Sequence, residues 1–328
     1  MKIFVFILSL FVMSCVWASE TWNFGATALV PSQSWEFTPD APSGTVFEPK
    51  VLQRSSCLIV AAPCLGMWYS GGWEKCSVGY AETTDLSGLS GWTKYPNNPI
   101  IGQGKLGYTE ACRKSVFVYS GKYYTVFVGN AGSGSLYITS SADGVTSLAT
   151  PTLLLSPGTY DTKLANSFMF VNGTKCKLFY DALTVSTPSP WMDFSASGNC
   201  PSGPFTKDFG GNPLVTLQPD GASYGVPSIQ KLNGIGNYWL LGNPTGSPYF
   251  PSDIYHACDL VLGAVQFANG GLPTITHRAP TFDQAADPWA LDLNGVGTIF
   301  ADEDNNTTPY AQISVWQTTG PLESLDCP

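Results

Sequence analysis

The chain has 328 residues, of which 44% are hydrophobic and only 12% are charged, about half the share usual in soluble domains. This composition excludes intrinsic disorder, and 34 glycines with 25 prolines make long helices scarce, so an all-β fold is favoured. The formal charge of −9 offers no positive surface for nucleic acid.

The N-terminus predicts a secretory signal peptide over residues 1–18. A basic residue precedes an apolar run at residues 3–12, and residues 16–18 form a small-x-small cleavage site. The run is too short to span a bilayer, and no later segment approaches the roughly 20 apolar residues that a span needs. We therefore expect one secreted domain, residues 19–328, without a membrane span and as a monomer. Lipoprotein anchoring through Cys15 is the alternative.

Eight cysteines remain after cleavage, and an even number behind a signal peptide indicates disulfides formed in an oxidising compartment. Proximity suggests Cys57 with Cys64 and Cys176 with Cys200. Neither a CxxC pair nor a histidine spacing indicates zinc. Sequons at Asn172 and at residues 305–308 are N-glycosylation acceptors if the host is eukaryotic.

Five segments share one pattern of short strands and Gly or Asn turns. They begin, in chain order, at EPKVLQ, RKSVFVYSG, ANSFMFVNG, VPSIQKLNG and DPWALDLNG. Aligned on their turns, these segments share one equivalent position, which is occupied by Glu48, Arg113, Ala165, Val226 and Asp287. Repeats of about 60 residues accommodate four strands each, which predicts a five-bladed β-propeller of four-stranded antiparallel blades.

The fifth segment ends before a fourth strand, whereas strand-like TALV and SWEF pieces precede the first. We therefore expect the N-terminal segment to close the ring. A two-sheet sandwich with coincidental spacing is the alternative fold.

Several phrases of the first two segments resemble one enzyme group. They are MWYSGG at 67–72, VGYAETTDL at 78–86, GWTKYPNNPI at 91–100, SGKYY at 120–124 and SSADG at 140–144. These phrases resemble the five-bladed glycosidases of glycoside hydrolase family 43 and its relatives in families 32, 62, 68, 117 and 130. The resemblance implies a central funnel in which carboxylates from the first three blades act as base or nucleophile, pKa-tuning group and acid. No motif indicates a cofactor, although related propellers sometimes hold an axial calcium or sodium ion.

The candidate catalytic residues follow from that resemblance. Glu48-Pro49 stands where the group has Asp-Pro, which makes Glu48 the base or nucleophile. Arg113 and Ala165 stand where the group has its other two acids, so the nearby Glu110 or Asp161 is the candidate acid. Both of these lie just before or at the start of a predicted inner strand and could converge with Glu48 on one axial pocket.

The candidate substrate-binding residues surround the same funnel. Asp283 and Asp287 flank the start of the fifth inner strand and are candidates for substrate binding or pKa tuning. Arg113 could clamp a substrate carboxylate or hydroxyls through its planar guanidinium, or pair with Glu110. Trp68 and Trp289 offer flat faces for sugar rings, or pack between blades.

Three functions remain open from the sequence. The first is a secreted glycoside hydrolase acting on poly- or oligosaccharides. The second is a non-catalytic carbohydrate-binding propeller, a lectin or pseudoenzyme, which Ala165 favours. The third is a disulfide-stabilised extracellular structural or adhesive protein. They differ in whether two carboxyl groups meet at the axis, about 5–5.5 Å apart for retention or 6.5–9.5 Å for inversion.

Overall fold

The computed structural model describes residues 22–73, 75–129, 134–185, 191–208, 223–231, 238–245, 253–259, 266–267, 275–278, 285–303 and 312–318. Between residues 223 and 288 it describes the backbone of the strands without their side chains. The predicted signal peptide and Asp283 lie outside these ranges. Among the described residues, no helix is long and apolar enough to cross a membrane.

Almost all regular structure in these ranges is β-strand. In chain order the strands are β1 (Trp22–Leu29), β2 (Val46–Arg54), β3 (Cys64–Gly71), β4 (Ser77–Thr83), β5 (Thr93–Lys94), β6 (Ala111–Tyr119), β7 (Lys122–Gly129), β8 (Ser135–Ser141), β9 (Thr152–Leu155), β10 (Asp161–Asn172), β11 (Lys175–Thr184), β12 (Trp191–Asn199), β13 (Phe205–Lys207), β14 (Ser223–Lys231), β15 (Tyr238–Thr245), β16 (Asp253–Asp259), β17 (Gln266–Phe267), β18 (Ile275–Arg278), β19 (Ala285–Leu293), β20 (Val296–Glu303) and β21 (Gln312–Thr318).

The first three sheets have the four-stranded antiparallel order predicted for propeller blades. Sheet one is β2-β3-β4-β5, sheet two is β6-β7-β8-β9, and sheet three is β10-β11-β12-β13. Each strand pairs with its neighbour in sequence, an arrangement that short turns can connect. The all-β propeller architecture with four-stranded antiparallel blades is thus confirmed.

The last two sheets differ from the first three. Sheet four is β14-β15-β16-β17, and β18 also pairs with β16, so the expectation of four strands in every blade is wrong here. The reason is that the two-residue β17 pairs only near the end of β16, and β18 pairs with its first residues, Asp253 to Tyr255. Sheet five contains β19-β20-β21, and β1 pairs antiparallel with β21, with Leu29 opposite Ile313.

The first strand of each described sheet is interrupted by a register shift at the same place. The shifts lie between Phe47 and Lys50, Cys112 and Ser115, Ala165 and Ser167, Gly225 and Ser228, and Ala286 and Trp289. An extra residue in one strand makes a β-bulge, which bends the strand and re-aims its side chains. Four of the five positions aligned from the sequence, Glu48, Arg113, Val226 and Asp287, are the first residue of their bulge, which confirms their equivalence. In sheet three Asn166 has that place, because the shift lies between Ala165 and Ser167, so the alignment at Ala165 is wrong by one residue.

The hydrophobic core lies between neighbouring sheets. One cluster joins sheets one and two, a second joins sheets two and three, and a third joins sheets one and five with two residues of sheet three. The middle strands β3 and β4 are buried along their whole length because both faces of sheet one are covered. Trp35, in the 3-10 turn Ser34–Glu36, packs on sheet one at Gly71, where a Cβ would lie 2.6 Å from the indole.

Three disulfides lie within the described residues. Cys57–Cys64 and Cys176–Cys200 confirm the pairs suggested by proximity. Cys76–Cys112 was not predicted, because its cysteines are 36 residues apart in sequence. It ties the residue just before β4 to β6. In the chain-entropy model, closing a loop of that length contributes about 4 kcal/mol to stability.

Candidate functional site

The bulges of sheets one, two and three bring their side chains into contact. Arg113 Nη1 lies 3.2 Å from Glu48 Oε1 and donates a 3.2 Å hydrogen bond to Asn166 Oδ1. Asn166 Nδ2 in turn donates to Asp181 Oδ2 at 2.8 Å. These contacts join the first strands of three successive sheets, as convergence on one axis requires. We define the axial cluster as Glu48, Ser70, Arg113, Lys114, Asn166, Asp181 and Asp302.

Glu48 is held in an unusual backbone conformation. Its φ of 52° lies in the left-handed region, which residues other than glycine seldom adopt. Its N–H donates a 2.6 Å hydrogen bond to Asp302 Oδ1, which fixes the bulge from the second strand of sheet five. Arg113, at the equivalent bulge, has a φ of 54°. Backbone strain of this kind persists only where surrounding contacts enforce it, and it concentrates at functional sites.

The Glu48 carboxylate accepts hydrogen bonds from two sheets. Its Oε2 accepts from Ser70 Oγ and from the Arg113 N–H, each at 2.9 Å. The Lys114 Nζ lies 3.9 Å from the same oxygen. All these neighbours are hydrogen-bond donors. An ionised carboxylate only accepts hydrogen bonds, so it matches all of them. The arrangement suits a carboxylate that acts as base or nucleophile.

Two cations stand at different depths around this carboxylate. Lys114 is 1% exposed, and its Nζ donates to the Glu48 carbonyl and, at 3.0 Å, to Ser70 Oγ. Arg113 reaches outward, with 34% of its side chain exposed against 2% for Glu48. A ligand entering the axial cluster would therefore meet the Arg113 guanidinium first and the carboxylate beneath it.

Asp161, a candidate acid, is engaged elsewhere. Its carboxylate forms a 2.6 Å ion pair with Lys207 Nζ and accepts hydrogen bonds from the Tyr180 hydroxyl at 3.0 Å and the Gly158 N–H at 2.8 Å. Burial, and then the negative charge of Asp161, raise the pKa of Tyr180, so this hydroxyl remains a donor. These partners belong to sheet three and its preceding loop. These contacts hold Asp161 to its own sheet and do not join it to Glu48, so its expected place beside Glu48 stays a prediction.

The structure describes the other three candidate acids to different extents. Glu110 immediately precedes β6 and is half-buried, three residues before Arg113. Asp287 lies in the bulge of β19, at the position equivalent to Glu48, and the structure describes its backbone without its side chain. Asp283 lies outside the described residues altogether. The backbone positions of Glu110 and Asp287 keep both residues as candidates for the general acid.

Trp68 and Trp289 are core residues, so the expectation that they stack on sugars is wrong. Trp68 has no exposed surface, and its Nε1 donates to the Gly144 carbonyl at 2.9 Å. Trp289 is 5% exposed, and its Nε1 donates to the Val51 carbonyl at 2.8 Å. Both indoles fill the space between neighbouring sheets, where aromatic residues of a propeller usually pack. An exposed aromatic instead precedes β10, where Tyr160 is 49% exposed.

Five members of the axial cluster were missed from the sequence alone. Ser70, Asp181 and Asp302 lie on second strands, opposite Phe47, Ala165 and Ala286 respectively. Those three partners are equivalent residues, so aligning the second strands as well as the first would have found this set. Lys114 and Asn166 directly follow aligned positions within their bulges.

The described residues do not fit the axial ion that the resemblance allows. In the axial cluster, the carboxylates of Glu48 and Asp181 contact Arg113, Lys114 and Asn166. Elsewhere in the described chain, the potential ligands that come together are Cys57, Cys64 and Glu82. The two cysteines form a disulfide, which leaves no thiolate for a metal.

Comparison with known proteins gives the fold. No family model and no curated protein sequence matches the chain. The α-L-arabinofuranosidase of Podospora anserina in complex with cellotriose is similar, with a TM-score of 0.66 at 10% identity, covering 92% of this chain and 98% of that one. A family 117 glycoside hydrolase of Zobellia galactanivorans has a TM-score of 0.58 at 14% identity, covering 94% and 93%.

A third similar structure is the α-L-arabinanase of Penicillium chrysogenum complexed with arabinobiose. Its TM-score is 0.54 at 11% identity, covering 93% of this chain and 100% of that one. The resemblance to glycosidase propellers is therefore confirmed for the fold. At these identities the similarity does not extend to the chemistry.

Proposed function

We propose that this chain is a secreted glycoside hydrolase that binds a poly- or oligosaccharide at the axial cluster. The observation that carries the proposal is the buried Glu48 carboxylate, held at a strained bulge beneath the partly exposed Arg113. Structures of similar fold are glycoside hydrolases, and two of them contain cellotriose or arabinobiose. The three disulfides agree with an oxidising, extracellular location for what we propose is a monomer.

In this proposal Glu48 is the base or nucleophile. Ser70, Lys114 and the Arg113 N–H orient its carboxylate, and the Arg113 guanidinium binds sugar hydroxyls at the entrance. The general acid is Glu110 or Asp287, because Asp161 is held by Lys207. Asp287 shares the bulge position of Glu48 in sheet five.

We propose that the five sheets form a closed five-bladed ring with β1 as the closing strand. The equivalent bulges of the five first strands support this ring. The β1–β21 pairing and the core shared by sheets one and five support closure at that point.

The second candidate is a carbohydrate-binding propeller without turnover. It is favoured by Arg113 and Ala165-Asn166 at the bulges of sheets two and three, where the resembled enzymes carry acids. The ion pair with Lys207 also engages Asp161, a further candidate acid.

The test is sugar release by the purified protein from furanoside, pyranoside, fructan and arabinoxylan substrates. Glu48→Gln keeps the shape of the side chain, and we expect it to lower sugar release at least about a hundredfold, the usual range for removing a catalytic base.

Arg113→Lys keeps the charge without the planar fork, and we expect it to raise KM more than it lowers kcat. Glycan binding without release from any substrate would establish the second candidate, and neither binding nor release would contradict both.

A further inference from the structure

A cavity in sheet three lies beside an exposed asparagine that the axial cluster does not use. The cavity has a volume of about 440 Å³ and lies where β10 turns into β11. Asn172, the last residue of β10, lines it and pairs across the turn with Lys175. Asn172 also begins Asn172-Gly173-Thr174, an N-glycosylation acceptor sequence.

The turn exposes this acceptor sequence to solvent. Asn172, Gly173 and Thr174 are all exposed. Gly173 has a φ of 59°, and no atom lies within 4 Å of the position that a Cβ would take there. The Cys200 N–H donates to the Thr174 carbonyl at 2.9 Å, which fixes the turn beside the cavity. An exposed surface turn is where such an acceptor must lie.

The cavity has the lining that a sugar requires. Phe170 and Pro204 contribute apolar surface, while Ser197 and Asn199 contribute polar groups. Its volume lies within the range of about 300–1,000 Å³ that is usual for small-molecule sites. A sugar ring has an apolar face and hydroxyl edges, so it can use both kinds of surface.

The position is compatible with an active axial cluster. Asn172 lies six residues beyond Asn166 on the same strand, which is about 20 Å at 3.3 Å per residue. A group attached to Asn172 therefore leaves the entrance beside Arg113 open.

We propose that Asn172 carries an N-linked glycan whose first N-acetylglucosamine packs into this cavity. The new bond joins Asn172 Nδ2 to the anomeric carbon of a sugar supplied by a lipid-pyrophosphate-linked oligosaccharide. The bond from that carbon to the pyrophosphate oxygen breaks, the lipid pyrophosphate leaves, and the amide nitrogen gives up one proton. The disulfide Cys176–Cys200 places the turn in a protein that matures in an oxidising compartment.

The attachment is tested by secreting the full chain from yeast and mapping its peptides by mass spectrometry, with the sequons at Asn305 and Asn306 removed. We expect one glycan in the wild type and in Thr174→Ser, and none in Asn172→Gln or Thr174→Ala. Asn199→Gln changes the same cavity outside the sequon and should keep the glycan. An unmodified Asn172 peptide from the secreted wild type would overturn the proposal.

The packing is tested on the same glycoprotein after an endoglycosidase leaves a single N-acetylglucosamine. We expect this trimmed protein to keep its Tm, and Asn172→Gln to melt about 2 °C lower, because the sugar's contacts with the cavity are lost. Slower amide exchange across residues 170–177 should accompany the single sugar. Equal Tm and exchange in the trimmed protein and Asn172→Gln would contradict the packing even if the glycan is attached.

Discussion

Sheet one contains two buried glutamates, and their surroundings differ. Glu82 has no exposed surface and accepts backbone hydrogen bonds from Leu58 and Ile59 at 2.9 and 2.7 Å, together with one from the Tyr80 hydroxyl at 2.6 Å. Arg54 Nη1 lies 3.9 Å away. All these partners come from sheet one and the loop that precedes β3. Glu82 therefore ties a loop to its own sheet.

Glu48 is as deeply buried but is bound from three directions. Its partners are Ser70 on its own sheet, Arg113 and Lys114 on sheet two, and Asp302 on sheet five. One of these partners is partly exposed. Burial of a carboxylate thus does not identify a site by itself. Convergence of partners from several sheets, with a route to solvent, distinguishes Glu48 from Glu82.

Replacement of Glu82 should give the largest change in stability. In Glu82→Gln an amide NH₂ would face backbone N–H donors of the 58–60 loop, and Arg54 would lose its carboxylate. We expect the free energy of unfolding to fall by about 3 kcal/mol, the usual scale for a buried network that loses one charge. Urea denaturation measures this, and sugar release per folded molecule should stay at the wild-type level.

Glu48→Gln is the matched control, since it makes the same chemical change at the same depth. We expect the opposite pattern for Glu48→Gln: sugar release is lost, and the free energy of unfolding changes less than in Glu82→Gln. A folded Glu82→Gln protein that no longer released sugar would contradict the distinction between the two glutamates.

Asp161 sharpens the comparison, because its contacts resemble those of Glu82. Asp161→Asn should lower the free energy of unfolding by about 2 kcal/mol, which is less than for Glu82 since Lys207 is 19% exposed and partly solvated. A double-mutant cycle with Lys207→Met should show coupling above about 1 kcal/mol. Lys175→Met, which removes an exposed lysine bonded to Asn199, is the control and should change stability by less than about 0.5 kcal/mol.

The rate of sugar release decides between the two roles of Asp161. We expect Asp161→Asn to release sugar at the wild-type rate once the protein is folded. A loss of release without a loss of stability would instead make Asp161 the general acid and require its ion pair with Lys207 to open on substrate binding.

The sequence predicted the fold well because the recognisable phrases carry structural residues. Glu82 binds the 58–60 loop, Asn98 Oδ1 accepts from the Tyr80 N–H at 2.9 Å, and Asp143 caps a turn after β8. Each of these contacts stays within one repeat, so the phrases of that repeat, which a single sequence shows directly, carry both partners. Four of the five equivalent positions were predictable for a related reason, since the repeats share a similar spacing from strand to turn, whereas the bulges themselves were not predicted.

The site was less predictable because its contacts join residues far apart in sequence. Asp302 binds the Glu48 N–H across 254 residues, and no local pattern marks that pair. Trp289 shares a strand with Asp287, yet the twist and bulge turn its indole into the core. Asp161 starts the expected strand, but Lys207 reaches it from β13. Which side chains meet depends on how the sheets pack, and that information is absent from strand spacing.

The smallest effect is expected at Asp143, a carboxylate bound only by neighbours in its own turn. Burial raises its pKa, but hydrogen bonds from the Thr146 hydroxyl and from the Val145 and Thr146 N–H groups, together with one from Ser141, lower it more. A pKa lowered by folding adds stability that is present above the unfolded value of about 3.9 and is lost as pH falls through the folded value.

Asp143→Asn should therefore flatten the fall in Tm between about pH 5 and pH 2, while the Tm at pH 7 decreases slightly. Thermal melts across this range measure the effect, with Asn97→Asp as a control for a changed surface charge. Because Asp143 lies away from the axial cluster, its substitution should leave sugar release unchanged at pH 7. If Asp143→Asn lowered release as strongly as Glu48→Gln, convergence of partners from several sheets would no longer separate functional from structural carboxylates in this protein.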